Sequence, residues 1–122
     1  MPCERRVYWT VVLTPLRDNT LYQNAKGALS NGAGSYLYAG ATAGWALRRA
    51  VVAFDVAGSV PAGAEVVSAR LELRMSRTIA GAYSVELHRL SADWGEGTSD
   101  AEGGEGDGGV ATLGDATWIH TF

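Results

Sequence analysis

Apolar and polar residues alternate strictly between Val67 and Met75, in the segment VSARLELRM. Successive side chains of a β-strand point to opposite faces, so this alternation is typical of a strand with one face in a core and the other in water. The segment YSVELHRL, at residues 83–90, repeats the pattern more briefly. The two segments predict an all-β, antiparallel fold.

Further short segments extend this prediction along the chain, and none of them shows helical periodicity. We expect strands at residues 7–14, 20–22, 36–39, 48–56, 66–75, 83–90 and 116–121. Short strands separated by glycine-rich turns are typical of a β-sandwich, here one that resembles a jelly roll. Residues 50–56 are apolar on both sides apart from Asp55, which predicts a central strand covered on both faces.

The alternation also predicts which side chains are buried. The expected core residues are Trp9, Val52, Phe54, Leu71, Leu73, Val85 and Leu87. The expected exposed residues on the opposite face are Arg70, Glu72 and Arg74.

Length and charge restrict the class of protein further. The 122 residues suit one module, spanning 1–122, and the net charge of -3 gives no general attraction to nucleic acid. No apolar run approaches the roughly 20 residues that span a bilayer. The apolar run after Arg6 is short and is interrupted by Thr10, so we expect any export signal to lie outside this chain. The single cysteine, Cys3, has no disulfide partner in the chain, and we expect an exposed thiol.

Five blocks of sequence carry a resemblance to a known family. In chain order they are LTPLRDNTLYQ, SNGAGSYLYAG, RRAVVAFDV, PAGAEVVSARLELRM and ADWGEGTSD. Together they resemble the DNRLRE domain family, also called disaggregatase-related repeats, over Leu13 to Phe122. The resemblance implies a carbohydrate-binding β-sandwich module of an extracellular or cell-surface protein, with a polysaccharide or surface glycan as its partner.

The usual module of that family continues with several strands after a segment like DATWIHTF, which ends this chain. We therefore expect unpaired sheet edges, which natural proteins avoid because they recruit other chains. Self-association would cover them, and two-fold symmetry is the default arrangement. The expectation is a homodimer in which residues 116–122 pair with, or pack against, a second copy. The alternative is a monomer whose strands rearrange into a smaller sandwich.

A glycine-rich acidic loop spans residues 95–114. The stretch DWGEGTSDAEGGEGD, which enters this loop from Asp93, carries six acidic side chains. Calcium prefers oxygen ligands, so such a loop predicts either a structural calcium site or a solvated surface. The predicted metal ligands are Asp93, Asp100, Glu102 and Asp107. The loop also contains G-x-G-x-x-G at residues 104–109, but no strand precedes it and no helix follows it, so we expect no nucleotide site.

Aromatic residues are the candidate ligand-binding groups. Tyr36 and Tyr38 share one face of a short segment, and Trp45 and Trp94 lie in or beside glycine-rich loops. Flat rings can stack on the C–H face of a sugar while neighbouring polar groups bind its hydroxyls. The alternative is that these rings cap the open ends of the sandwich and bury apolar area there.

Catalysis is not expected. His88 and Glu86 lie on the same side of one predicted strand, but the sequence places no activated serine or cysteine beside them. We interpret the chain as a non-catalytic extracellular module that binds carbohydrate or a cell surface. The alternative is a structural spacer or assembly module without a small ligand.

Overall fold

The computed structural model describes residues 4–122, and the prediction for Cys3 lies outside these residues. The fold is small and all-β with one helical turn, as the sequence predicted for its class. The strands are β1 (Arg17–Tyr22), β2 (Leu29–Ser30), β3 (Gly40–Ala41), β4 (Leu47–Ala53) and β5 (Gly109–Val110), and the helical turn is α1 (Val56–Ser59).

Strand β4 lies at the centre of a three-stranded antiparallel sheet, between β1 and β3. This confirms the central position predicted for residues 48–56, although the strand ends at Ala53. The early end has a local cause. Asp55 caps α1 by accepting a hydrogen bond from the Gly58 amide at 2.9 Å, and so turns the chain out of the sheet. The second sheet is the short antiparallel pair of β2 and β5.

The register of β1 on β4 places different residues on the two faces of the sheet. Asn19 lies opposite Val51, and this face packs against Trp94 and Ala116 in the hydrophobic core. Tyr22 lies opposite Arg48 on the other face, where the tyrosine is fully buried. Loops cover both faces of β1.

Asn19 connects the sheet to those loops. Its Oδ1 accepts from the amides of Thr20 at 2.7 Å and Asn31 at 3.0 Å, and its Nδ2 donates to the Glu96 carbonyl at 2.9 Å. The same amide is within hydrogen-bond distance of the Ser30 hydroxyl. Buried polar groups are costly unless they are paired, and this side chain is buried and fully paired.

Asp115 anchors the far end of the acidic loop in the same way. Its Oδ1 accepts from the Thr98 amide at 2.9 Å, and its Oδ2 accepts from the amide and hydroxyl of Thr112 at 2.5 and 3.0 Å. Asn31 adds a third anchor, since its Oδ1 accepts from the Ala101 amide at 2.9 Å. Asp115 and Asn31 are buried, so side chains rather than strand pairing hold this loop in place.

Several predicted strands are wrong. The structure contains no strand at residues 7–14, 36–39, 66–75, 83–90 or 116–121. Among the described residues, no backbone–backbone hydrogen bond involves residues 65–90. A strand is defined by a ladder of backbone bonds to a neighbouring strand, and none of these segments forms such a ladder here. Conversely β2, β3 and β5 lie in segments predicted as turns.

The predicted core is wrong for the same segments. Every residue from 61 to 93 is exposed, and the largest inward-predicted side chains are open to solvent. Leu73 is 67% exposed and Leu87 is 77% exposed, because no second layer covers them. Of the seven residues predicted to form the core, Val52 and Phe54 are half-buried. The other five are exposed: Trp9, Leu71, Leu73, Val85 and Leu87. The exposure predicted for Arg70, Glu72 and Arg74 is confirmed.

The C-terminal segment is not an open edge. The Gly95 amide donates to the Thr121 carbonyl at 2.7 Å, and the Ala116 amide donates to the Gly95 carbonyl at 2.8 Å. Residues 116–122 are thus held within their own chain. The predicted strand at 116–121 is wrong, and its backbone is in part already occupied.

Candidate functional site

Tyr36 and Tyr38, predicted as ligand-binding residues, lie in a segment held against one face of the main sheet. The Tyr38 amide donates to the Thr20 hydroxyl at 3.0 Å, and the Ser35 amide donates to Glu105 Oε1 at 2.6 Å. One bond ties the segment to β1 and the other ties it to the acidic loop. The two tyrosines are therefore placed where sheet and loop meet.

Tyr22 and Arg48 form the floor below this segment. The Tyr22 hydroxyl donates to the Glu105 carbonyl at 2.8 Å, and the Arg48 guanidinium lies 4.9 Å from the centre of the Tyr22 ring. Arg48 Nε donates to the Gly106 carbonyl at 3.0 Å. Burial raises the pKa of Tyr22 from 10.0 to about 12, so its hydroxyl remains a hydrogen-bond donor in the pH range where an exposed tyrosine would lose its proton. The floor fixes the position of residues 105–106.

We define the tyrosine patch as Tyr36, Tyr38, Arg48, Glu105 and Asp107. Tyr36 is 55% exposed, and Tyr38 is half-buried with its ring beside Gly106. Burial raises the pKa of Tyr38, and the negative charge of Glu105 raises it further. The Asp107 carboxylate is fully exposed, with one oxygen 3.9 Å from the Arg48 guanidinium. The patch combines exposed ring surface with a cation and an open carboxylate.

Glu105 is the least expected member of the tyrosine patch. It is only 8% exposed although it lies in a glycine-rich loop. Its Oε1 is bonded to the Ser35 amide, whereas its Oε2 is buried without a hydrogen-bond partner among residues 4–122. Its role in the structure is to hold the tyrosine segment against the loop.

Trp45 is presented separately, at the turn of the hairpin that joins β3 to β4. Its φ of +64° lies in the left-handed region, which bulky residues rarely adopt. The turn is held by Thr42, whose carbonyl accepts from the Trp45 amide and whose hydroxyl accepts from the Ala46 amide. The ring is 82% exposed. A strained backbone therefore supports a fully presented aromatic side chain.

Trp94, the fourth predicted ligand-binding residue, lies in the hydrophobic core. It is 6% exposed, and the Arg17 guanidinium lies 4.9 Å from its ring centre. Asp93 forms an ion pair with the same arginine. The hydrogen bond from the Trp94 amide lowers the pKa of Asp93, and Arg17 lowers it further. This ring has the alternative role considered from sequence, which is to bury apolar area.

The four predicted metal ligands are not brought together. Asp93 pairs with Arg17, Asp107 faces Arg48, and Asp100 and Glu102 are exposed. Within the described part of the chain, no three histidine, cysteine, aspartate or glutamate side chains are close enough to share a metal ion. The calcium site stays a prediction from sequence. Melting curves recorded with calcium and with a chelator would test it, because a bound ion raises the melting temperature.

The His88 and Glu86 pair forms on the surface. His88 Nε2 lies 2.8 Å from Glu86 Oε2, so the two side chains lie together as predicted, although residues 83–90 form no strand. Both side chains are highly exposed.

An apolar groove of about 290 Å³ opens on the core side of the main sheet. Arg49 stacks over the Trp118 ring at its wall, with 4.8 Å between guanidinium and ring centre. The residues lining it include Leu21, Val51, Leu90, Trp94, Ala116 and Trp118.

Sequence reasoning missed the buried polar residues that build the site. Asn19, Asn31 and Asp115 act across 70 or more residues, or across a loop, so no local pattern marks them. Glu105 was one of six acidic residues in this stretch, and nothing in the sequence showed that it would be the one that is buried. The arginine pair Arg48 and Arg49 at the start of an otherwise apolar strand was the one available signal.

No helix among residues 4–122 is long and apolar enough to cross a membrane. Comparison of the chain with protein-family models, with curated proteins and with solved structures finds no match.

Proposed function

We propose that this chain is a non-catalytic, extracellular glycan-binding module of the β-sandwich type, and that the tyrosine patch is its binding site. The observation that carries the proposal is the exposed Tyr36 ring and the half-buried Tyr38 ring in a segment bonded to the acidic loop, which also presents the open Asp107 carboxylate. Sugars present C–H faces that stack on aromatic rings and hydroxyls that bind charged groups. The tyrosine patch offers both kinds of contact.

Three further observations support this proposal. Part-buried hydrogen bonds tie the backbone of the tyrosine segment to the sheet and to the acidic loop, so the segment is positioned before a ligand arrives. Trp45 adds an exposed ring on the hairpin that follows Tyr38. The resemblance to the DNRLRE domain family implies the same substrate class and the same extracellular location.

The test is binding to an array of bacterial and plant polysaccharides, followed by titration of any bound oligosaccharide. Tyr36→Ala is expected to weaken binding about tenfold, equivalent to 1.4 kcal/mol, since it removes an exposed stacking surface. The matched control is Tyr8→Ala, because Tyr8 is also exposed but lies far along the chain, before β1. Equal weakening by both variants, or no binding across the array, would contradict the proposal.

A second candidate function is that of an assembly module. The observation in its favour is the exposed segment 66–90, where apolar side chains alternate with charged ones and no strand is paired. A module of this kind would bind no glycan and would join copies of the chain.

A further inference from the structure

Residues 67–75 have the sequence pattern of a β-strand but pair with no other strand in the described chain. Their apolar side chains are exposed, and none of their backbone groups bonds to another backbone group in the described chain. Arg70 and Glu72 form an ion pair at 2.7 Å, so they occupy one side of the segment together. The apolar side chains alternate with them: Val67, Ala69, Leu71, Leu73 and Met75.

If this segment pairs with the same segment of a second copy, the alternation of its side chains restricts how the two strands can align. In an antiparallel pair, residues directly opposite each other lie on the same face. A two-fold axis centred between two residues would therefore set apolar against charged side chains. The axis has to pass through a residue, and the candidates are Arg70, Leu71, Glu72 and Leu73.

The charges separate these candidates. An axis through Glu72 places Glu72 opposite Glu72 of the second copy and Arg70 opposite Arg74 of the second copy. Both kinds of contact bring like charges together. An axis through Arg70 places this arginine opposite its own copy. An axis through Leu73 pairs Glu72 with Arg74 but brings Arg77 onto the apolar face, opposite Ala69.

An axis through Leu71 satisfies the whole segment. Arg70 then faces Glu72 of the second copy, twice by symmetry, and Arg74 faces Ser68. On the apolar face, Leu71 meets its own copy. The remaining apolar pairs are Val67 with Met75 and Ala69 with Leu73. This register alone gives opposite charges on one face and apolar contacts over the full length of the other.

We propose that residues 67–75 form an interaction surface for a second copy of this chain, paired antiparallel about Leu71. The inference does not depend on glycan binding, since it uses no residue of the tyrosine patch. It differs from the contact predicted at residues 116–122, where Ala116 and Thr121 bond to Gly95 within their own chain. A two-stranded ribbon is only marginally stable by itself, so we expect a weak dimer with a dissociation constant of about 100 µM.

The first test uses charge reversal. Arg70→Glu gives a segment with Glu at 70 and 72, and Glu72→Arg gives one with Arg at both positions. Each variant then opposes like charges in its own dimer, and each is expected to self-associate at least about tenfold more weakly. A mixture of the two variants restores both opposite-charge pairs, and is expected to associate as tightly as the original chain.

Two controls accompany this test. Arg74→Glu changes an equally placed charge that faces Ser68, so its self-association is expected to change less than about twofold. Both mutated side chains are largely exposed, at 83% for Arg70 and 75% for Glu72, so the variants are expected to fold. Sedimentation equilibrium from about 10 µM to 1 mM measures the association.

The second test checks the register. In a Cys3→Ser background, Leu71→Cys places two thiols directly opposite each other, within the Cα separation that a disulfide needs. Leu73→Cys places them about four residues apart along the ribbon, too far to bridge. Oxidation is expected to cross-link the first variant and not the second.

Several outcomes would overturn the proposal. One is a mass of 12.8 kDa at every concentration, which would mean that residues 67–75 do not pair with a second copy. Another is self-association that Arg70→Glu and Glu72→Arg leave unchanged, which would place the contact on another surface. A cross-link at Leu73 but not at Leu71 would contradict the register.

Discussion

Two regions of this molecule use their side chains in opposite ways. The region around β1 and the acidic loop buries asparagine, serine and aspartate, each bonded to backbone amides or carbonyls far along the chain. The region from 61 to 93 exposes leucine, valine and methionine, although its sequence has the clearer strand pattern. The difference shows that an alternating sequence pattern indicates that a segment can form a strand, but that it forms one only where a partner strand is present. Order in one chain comes from the segments whose backbone groups find partners there.

Asn19→Ala is expected to have the largest effect on stability. It leaves buried amides of Thr20 and Asn31 and the Glu96 carbonyl without partners, at a cost of about 3 kcal/mol. Urea unfolding measures the loss. The control is Asn24→Ala, because Asn24 Oδ1 also accepts from two amides but in an exposed turn, where we expect about 0.5 kcal/mol. Equal losses would show that burial does not decide the cost of removing these hydrogen bonds.

Tyr22→Phe is expected to cost about 1 kcal/mol at neutral pH, since it removes the hydrogen bond to the Glu105 carbonyl. The pKa of Tyr22 is raised to about 12 in the folded chain, from 10.0. The unfolded chain therefore loses its proton first, and this stabilisation is present below pH 10 and is lost as pH rises through 12.

The difference between the original chain and Tyr22→Phe should consequently shrink between pH 10 and pH 12. Tyr83→Phe is the control, because Tyr83 is exposed, and its stability should follow that of the original chain throughout. A constant difference between Tyr22→Phe and the original chain would show that the Tyr22 hydroxyl is not buried as described.

Asp18→Asn is expected to stabilise the chain slightly. Burial raises the pKa of Asp18, and the charge of Glu96 raises it further. A raised carboxyl pKa means that stability is greatest below the ordinary value of 3.8 and falls as pH rises through the folded pKa. At pH 7 the asparagine avoids this loss, which solvent screening keeps modest at this partly exposed position. At pH 3 the two chains should unfold at nearly the same urea concentration, and a gain that persists there would refute the electrostatic cause.

Leu87→Ala is expected to have the smallest effect, below about 0.5 kcal/mol in the monomer. A leucine in a core would lose about 2–5 kcal/mol, but Leu87 is 77% exposed. Urea unfolding at 5 µM measures it. A loss of 2 kcal/mol would mean that residues 83–90 are covered in the monomer.

Sequence patterns predicted some elements of the fold well. The continuous apolar run at residues 50–54 predicted the central strand, because a strand covered on both faces needs apolar residues on both. Spacing by two predicted that Tyr36 and Tyr38 share one face of a strand, but residues 36–39 form no strand, so their shared face stays a prediction. Alternation in 66–75 predicted the exposed Arg70 but not the exposed Leu73, since burial depends on a second layer that no local pattern supplies.

The rest of the site could not be predicted because it is built by long-range polar contacts. Trp94 stands before Gly95, which suggested a loop rim, yet its ring enters the core beneath Arg17. Glu105 is flanked by glycines that suggest mobility, yet it is fixed by the Ser35 amide. Each of these positions is decided by a residue roughly 70 or more positions away.

Amide hydrogen exchange at a concentration where the chain is monomeric compares the two regions most directly. The account predicts slow exchange at Asn31, Ala101 and Thr112, whose amides donate to buried side chains, with protection close to that of global unfolding. It predicts exchange near the unfolded rate for residues 67–75 and 83–90, whose amides donate to no backbone carbonyl in the described chain. Strong protection of 67–75 in the monomer, equal to that of Asn31, would contradict the account.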